Sequence, residues 1–363
     1  MAYQRFDYEK CKELAAEVMR KNGIPDADCV KVADALLASD LFGIESHGIQ
    51  RLSMYVFGME VGRINRNAKM KIVKETPCSA VIDADAGMGQ PASIAGVEMA
   101  IDKASKTGFG MVIVTNSNHY GSAGYYSRLA ADKGYLGVCM TNTEALVTPT
   151  FGKSPMLGTN PIGVSMPAHP TMFHFDVSTS VVTAGKMEVY AKSGKPAPEG
   201  WSVDSDGKVN TDAQTFLDIR SNKTDGGLLP LGGFGELLGG HKGYGFSLIV
   251  ELMTGVLGLG DTSPHVRAVP HIERCCHMFQ VIDYGMFGDK EAIERKFSEY
   301  LQEIRDSKKA EGYDRIYIHG EKEVAFKDDV LTNGVPMHDA TVADIIKTCE
   351  KCGVDHTKYL VKK

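Results

Sequence analysis

Apolar residues recur at three- and four-residue steps through Asp26 to Phe42, at Val30, Ala33, Leu36, Leu37 and Leu41. Acids fill the first turn, where the helix dipole favours them, so the spacing predicts a helix that buries one face. Residues 7 to 60 as a whole read as helical. A different pattern holds between Gly108 and Tyr126, GFGMVIVTNSNHYGSAGYY. Met111 to Val114 is short, apolar and β-branched, which predicts a buried strand. The chain then switches to Asn116, Ser117, Asn118, His119 and Tyr120, and two glycines turn it before a helix near Tyr125. Further strands are predicted at Ser79–Asp83, Leu136–Met140, Phe173–Ser180 and Arg315–Glu321. Helices are predicted after Gly89, at Phe246–Leu257 and, amphipathically, at Lys290–Ala310. Lys192 to Asp212, rich in Pro, Gly and Asp, reads as an irregular surface flap.

A packed strand fixes the loop that follows it, so strand exits in α/β proteins are where reactive groups are displayed. His119 is the foremost candidate, because an imidazole titrating near 6.5 can both take and give a proton around neutrality. The plain alternative is a loop histidine bonded to Asn116 or Asn118. A second constellation lies in Glu45-Ser46-His47-Gly48-Ile49-Gln50-Arg51-Leu52-Ser53-Met54-Tyr55. If a helix resumes at His47, then His47, Arg51 and Tyr55 share one stripe with Ser46 at its leading end. An arginine fork grips a carboxylate with two parallel bonds, so this stripe suits a small carboxylic acid.

Two glycine-rich stretches invite nucleotide readings. Ser79–Asp83, then Gly87-Met88-Gly89-Gln90-Pro91-Ala92, imitates the dinucleotide fingerprint of the Rossmann fold. The next predicted strand ends in Thr115-Asn116-Ser117-Asn118 without the acid that the ribose requires, and Pro91 removes an amide from the turn, so it is rejected. Gly232 to Gly245, by contrast, places glycines, His241 and Lys242 before a helix, as a phosphate cradle would. The hydroxyl-rich strand exits at Thr141–Thr143, Thr159-Asn160 and Asp176–Ser180 suit ribose or amide recognition, or plain turns.

Composition narrows the partners. With 363 residues, 43% of them hydrophobic, the chain can bury a large core and divide into two lobes. A net charge of −6 argues against nucleic acid or an anionic membrane. No apolar run approaches the roughly 18 residues of a spanning helix, and the N-terminal sequence has no signal core, so a cytoplasmic location is expected. The eight cysteines read as free thiols. His271, Cys275, Cys276 and His277, or Cys349 with Cys352, imitate zinc ligands, but adjacent cysteines diverge on a strand and the second pair has no counterpart, so no metal is expected.

Taken in order, Ser46-His47-Gly48 with Arg51, Asn118-His119-Tyr120-Gly121, Gly158-Thr159-Asn160-Pro161, Asp176-Val177-Ser178-Thr179-Ser180, Gly240-His241-Lys242-Gly243-Tyr244-Gly245 and His319-Gly320-Glu321 resemble the type-2 malate/L-lactate dehydrogenases. The resemblance covers nearly the whole chain. It implies an α/β (α+β) fold in which NAD or NADP binds on a non-Rossmann, largely antiparallel sheet with a helical lobe, and a homodimer. Residues 1–75 plus about 290–363 would form the helical, substrate and dimer lobe, and 76–289 the NAD(P)-binding domain. Carried over, His119 is the acid/base histidine, with His47 and Ser46 beside it. Arg51 and Tyr55 stand on the substrate side. Thr159, Asn160, Asp176, Val177, Ser178, His241, Lys242, Gly243, Gly320 and Glu321 are cofactor contacts. His319 and Lys153 depart from the family pattern. The implied reaction is hydride transfer between the cofactor, with a lean to NAD, and C2 of a small L-2-hydroxy acid such as malate or lactate. Within the family the substrate alternatives are ureidoglycolate, sulfolactate, diketogulonate or a cyclic imine. An idle dinucleotide-binding protein is the alternative from another class.

Overall fold

The apolar run at Met111–Val114 forms the middle of a nine-residue strand, and the molecule is layered about it. The structure is a computed structural model describing residues 3–363. In chain order the strands are β1 Tyr3–Phe6, β2 Lys71–Glu75, β3 Ser79–Asp83, β4 Phe109–Ser117, β5 Leu136–Thr141, β6 Ile162–Met166, β7 Phe173–Val177, β8 Ser202–Val203, β9 Val209–Asn210, β10 Gly227–Leu228, β11 Cys275–Ile282 and β12 Val335–His338. The helices are α1 Tyr8–Lys21, α2 Asp26–Leu41, α3 Leu52–Glu60, α4 Gly89–Thr107, α5 Ala123–Ala131, α6 Ala184–Ser193, α7 Ala213–Asn222, α8 Gly240–Glu251, α9 Ser263–Val266, α10 Lys290–Asp306, α11 Glu321–Asn333 and α12 Asp339–Cys352.

Seven strands form the main sheet in the order β2-β3-β4-β11-β5-β6-β7. Every pairing is antiparallel except β3 with β4, which are joined through α4. The largely antiparallel, non-Rossmann expectation is therefore met. Side chains alternate across β4 as strand geometry requires. Val112 and Val114 join the core under α4 and α5 with Phe279 and Val281 of β11. Ile113 and Thr115 face the other way, against the turn after α8, where a Cβ on Gly258 would lie 2.7 Å and 2.8 Å from them.

A second core belongs to the helices: Leu14, Val18, Leu36, Leu37, Leu52, Val56, Met337 and Ile345 pack together from α1, α2, α3, β12 and α12. The predicted helix at Asp26–Phe42 is α2, but its buried stripe runs through Cys29, Val32, Ala33, Leu36 and Leu37, leaving Val30 outside. Packing groups the chain differently from the two-lobe expectation at two places. β2 pairs with β3 and so joins the sheet, and α10 packs through Leu301 on Ala168 and Phe173 at the β7 side. The predicted flap is built rather than irregular. β8, β9 and β10 form a small sheet that, with α6 and α7, encloses Met187, Phe216 and Leu228. Residues 315–319 form no strand: only His174 N reaches His319 O, at 3.1 Å, before Gly320 turns the chain (φ 103°) into α11. The apolar run at Phe246–Leu257 ends α8 and continues as a π turn, Leu252–Val256. Among the described residues no helix is long and apolar enough to cross a membrane.

The metal-like residues at β11 are spent on the core. His277 is fully buried, with Nδ1 2.7 Å from Thr141 Oγ1 and Nε2 2.9 Å from Ser117 Oγ. Both neighbouring thiols are buried, Cys275 Sγ against Glu273 and Cys276 Sγ against Asp261 O.

Phe279 fills the space under Gly96, whose Cβ would meet its ring at 2.8 Å. Phe279→Ala should therefore lower stability by about 3–5 kcal/mol, read as a drop in the urea midpoint. Stability should also fall with acid. Burial pushes His277 down to about 3; His174 is pushed to about 4 by burial and then by Arg128. His47 is likewise held at about 4, and His119 well below its ordinary value. The unfolded imidazoles protonate near 6.5, so the stability these groups provide is complete above that pH and is lost as pH falls toward 4 and 3. Asp40, raised to about 8, and Asp176, raised to about 6, both chiefly by burial, act in the opposite sense, losing stability as pH rises. Four histidines outweigh two acids, so the urea midpoint should drop between pH 7 and pH 5. The drop should shrink in His277→Gln.

Candidate active site

His119 sits where β4 leaves the sheet, and the loop that carries it is pinned by its neighbours rather than by its own ring. Asn116 adopts a left-handed conformation (φ 51°) and donates to Asp83 Oδ1 at 2.9 Å. Asn118 donates to the carbonyls of Ala86 and Gly87 at 2.8 and 2.9 Å. The imidazole bonds to neither asparagine. A Cβ on Gly89 would lie 2.2 Å from Asn118 O and 2.5 Å from His119 O. The glycines that imitate a dinucleotide fingerprint are thus explained: Gly89 lets the start of α4 touch the loop bearing His119.

Ser46, His47 and Arg51 reach the same place by a different route from the predicted helix. Two short 3-10 turns, Glu45–His47 and Ile49–Arg51, precede α3, so no continuous helical stripe exists. The turns are held by Asp40 of α2, whose buried carboxyl group accepts from Ile49 N through Oδ2 at 2.7 Å. A Cβ on Gly48 would lie 1.9 Å from that carboxyl group. Only glycine fits there, which accounts for the Ser-His-Gly order. The turns stack the His47 ring on His119, with centroids 5.5 Å apart, and bring Ser46 Oγ to 2.9 Å from His47 Nδ1. Arg51 Nε donates to Ser46 O at 2.5 Å. Tyr55 on α3 places its hydroxyl 2.7 Å from His119 Nδ1, and Gln90 Nε2 donates to the same phenol oxygen at 2.7 Å. With Nδ1 engaged, Nε2 is the ring nitrogen left for chemistry.

Electrostatics keep both imidazoles neutral. Loss of water lowers His119 most, and His47, Arg51 and Arg267 add to it; for His47 burial leads and Arg51 follows. Among the described residues Arg51 has no carboxylate partner. A cleft of about 300 Å³ opens in front of this group. Ser46, His47, Arg51 and His119 line one part of it; Thr143, Thr159, Asp176, Val177 and Ser178, from the exits of β5 and β7 and the loop before β6, line another. Asp176 accepts from Gly124 N at 2.8 Å.

The remaining predicted residues do not line this cleft. Asn160 is fully buried, donating to Glu251 Oε1 at 2.8 Å and so seating α8 against the sheet. His241, Lys242 and Gly243 open α8 behind the glycine-rich turn, which Leu231 N ties to Thr179 O at 2.8 Å, one residue from Ser178. His241 and Lys242 are exposed. Gly320 caps α11, and the Glu321 carboxylate is held by Arg305 at 2.6 Å and Arg315 at 3.1 Å. Of the departures, Lys153 pairs with Asp225 at 3.3 Å and His319 packs on Phe175.

Sequence reading missed an ionic chain behind the histidine. Glu273, just before β11, accepts from His119 N at 3.0 Å and holds Arg267 at 2.5 Å. Arg267 reaches Glu144 at 3.0 Å, and Arg220 on α7 bridges Glu144 at 2.8 Å and Glu188 at 3.1 Å. Apart from Arg267 and Glu273, six positions apart, these residues are distant in sequence and share no local motif, so the fold brings them together.

The donor set fits a nicotinamide dinucleotide: hydroxyls beside a carboxylate suit a ribose diol, and exposed Lys242 over a glycine turn suits a pyrophosphate. The comparisons with known proteins agree. A profile of the malate/L-lactate dehydrogenase family matches residues 6–346. The chain is 41% identical over 354 residues to a malate dehydrogenase of Pyrococcus horikoshii, covering 97% of each, and 38% identical over 318 residues to an L-sulfolactate dehydrogenase of Methanocaldococcus jannaschii, covering 87% of this chain and 88% of the relative. Its fold superposes on the crystal structure of a malate dehydrogenase from Entamoeba histolytica with a TM-score of 0.94 at 34% identity, over 98% of this chain and 99% of the other. The chain belongs to the malate/L-lactate dehydrogenase family, oxidoreductases acting on the CH–OH group of hydroxy acids.

Proposed function

We propose that this enzyme interconverts an L-2-hydroxy acid of the malate or lactate kind with its 2-oxo acid, using NAD in preference to NADP. The observation that carries the reading is Arg51, without a carboxylate partner among the described residues, lining the same part of the cleft as His119. The bound nicotinamide supplies or accepts the hydride at C2. Arg51, held at Nε by the Ser46 carbonyl, keeps its terminal nitrogens for the substrate carboxylate and so orients C2. In oxidation His119 takes the hydroxyl proton at Nε2. Its Nδ1–H then donates to Tyr55, whose oxygen the Gln90 amide holds in place. Ser46, steadied by His47, bonds the substrate oxygen as charge develops on it.

Substrate binding also tunes the base. Arg51 depresses His119, and a carboxylate on Arg51 cancels that repulsion, so the proton affinity of His119 rises only when substrate is in place. Thr159, Asp176, Val177 and Ser178 contact the nicotinamide half of the cofactor, with the acids Asp176 and Glu323 in the cleft favouring a free ribose diol over a 2′-phosphate. His241, Lys242 and Gly243 serve its phosphates, while Asn160, Gly320 and Glu321 act by seating α8 and α11. The apolar faces of α8 and the π turn, with Phe246, Ile249, Leu252 and Val256 exposed, are where a second copy packs to make a homodimer. We read the helical lobe as the substrate and dimer side, the sheet as the cofactor side, and the location as cytoplasmic.

The test follows absorbance of the reduced nicotinamide with NADH and NADPH in parallel against oxaloacetate, pyruvate and bulkier 2-oxo acids. Oxidation of NADH by one of them is expected. Silence across the panel alongside tight cofactor binding would overturn the hydroxy-acid reading. In the active enzyme, His119→Ala should lower turnover about 100-fold or more with folding intact. Near-normal turnover would transfer the proton step to His47. In the oxidation direction, the acid limb of the kcat profile should lie at higher pH than that of kcat/KM, because only the complex has Arg51 neutralised.

A further inference from the structure

The cleft has a second cation. Of the residues lining it, only Arg51 and Arg220 carry a positive charge. Arg220 ends α7 and bonds two acids, Glu144 at 2.8 Å and Glu188 at 3.1 Å, all three lining the cleft. The two acids are not equally dependent on it. Glu144 is also held by Arg267 at 3.0 Å, and its carboxyl stays below the usual carboxylate range through both arginines in spite of burial. Glu188 has no other cation among the described residues, and the side chains of Arg220 and Glu188 are about one third exposed, at 31% and 33%. A pair so wetted contributes little. Exchanging Glu188 for another acid would therefore cost little, and would leave Glu144 neutralised by Arg267.

The geometry of α6 sets the span. Gly185 lies against the Arg51 end, where a Cβ would be 3.4 Å from Ser46 Cβ and 3.6 Å from an Arg51 nitrogen. Glu188 follows three residues later, about one turn and roughly 4.5 Å along the same face. One small molecule can thus lie along α6 with an end at each arginine. The other acids of the cleft have donors of their own: Asp176 takes Gly124 N, and Glu323 takes Gly320 N at 3.2 Å.

We propose that Arg220 is the specificity residue for a second acid group on the substrate, a carboxylate or sulfonate at the far end of a 2-hydroxy acid, and that Glu188 is the internal anion it displaces. This rests on the hydroxy-acid reading above. Arg51 fixes the carboxylate next to C2, and Arg220 selects diacids over lactate-like monoacids. Without a second acid group the substrate leaves Arg220 on Glu188 and gains nothing from it.

The experiment measures kcat/KM with NADH for oxaloacetate and for 2-oxobutyrate, which ends in a methyl where oxaloacetate has its distal carboxylate. Arg220→Met should cut the oxaloacetate to 2-oxobutyrate ratio by about 10–100-fold, mostly through KM, the size of a lost charge-assisted bond. Glu188→Gln, which keeps the shape and removes the competing charge, should lower KM for oxaloacetate several-fold and leave 2-oxobutyrate unchanged. It also carries the test if Arg220→Met fails to fold. A structural role for the pair would affect both substrates alike, so an unchanged ratio in both variants overturns the assignment to Arg220. A wild-type enzyme inactive with both acids overturns the hydroxy-acid reading itself, and this inference with it.

Discussion

The hydrogen bond between the Tyr55 hydroxyl and His119 Nδ1, 2.7 Å long, joins the two parts of the molecule at the histidine we propose as the proton carrier. Tyr55 comes from a core built of helices, and His119 from the end of a strand buried in a sheet. Neither group can hold the ring alone. The loop fixes the backbone of His119 through Asn116, Asn118 and Glu273, while the helical part fixes its ring through Tyr55, Gln90 and the stacked His47. A proton carrier must be neutral when substrate arrives and chargeable once it is bound. Burial meets the first condition, and in the proposed mechanism a carboxylate bound to Arg51 would meet the second.

Much of this was legible from local pattern. The helix at Asp26–Phe42 and the amphipathic helix after Lys290 follow from periodicity, and the strand at Met111–Val114 from a short, β-branched apolar run. His119 stood out because the residue types change abruptly where a buried strand ends. The parts that were not legible are those set by distant partners. Arg315–Ile318 has the composition of a strand but lies beyond the sheet, bonding to Glu321 instead, and only the next residue, His319, reaches β7 through its carbonyl. Asp40 looks like an ordinary polar residue late in a helix, and only the fold shows it supporting the Gly48–Ile49 turn.

The glycine pattern at Gly87–Gly89 is instructive for the opposite reason. It has the spacing, strand and helix of a phosphate loop, yet Gly89 serves a contact between backbone and backbone. The same physical need, absence of a Cβ at a close approach, produces both patterns. The missing ribose acid and Pro91 separated them, which shows that such a motif is read by its partners and not by its spacing.

The contacts that hold His119 span 64 residues, to Tyr55, and 154 residues, to Glu273. The strand that pairs with β4 to hold its exit, β11, is made more than 150 residues after it begins. Contacts of such long separation require large loops to close, at a cost in chain entropy that nearer contacts do not carry. A chain emerging from the ribosome can therefore form its first helices and the β3-α4-β4 unit while its histidine is still an ordinary, water-exposed imidazole. The surroundings that lower its proton affinity exist only once β4 and β11 are paired and α3 is in place.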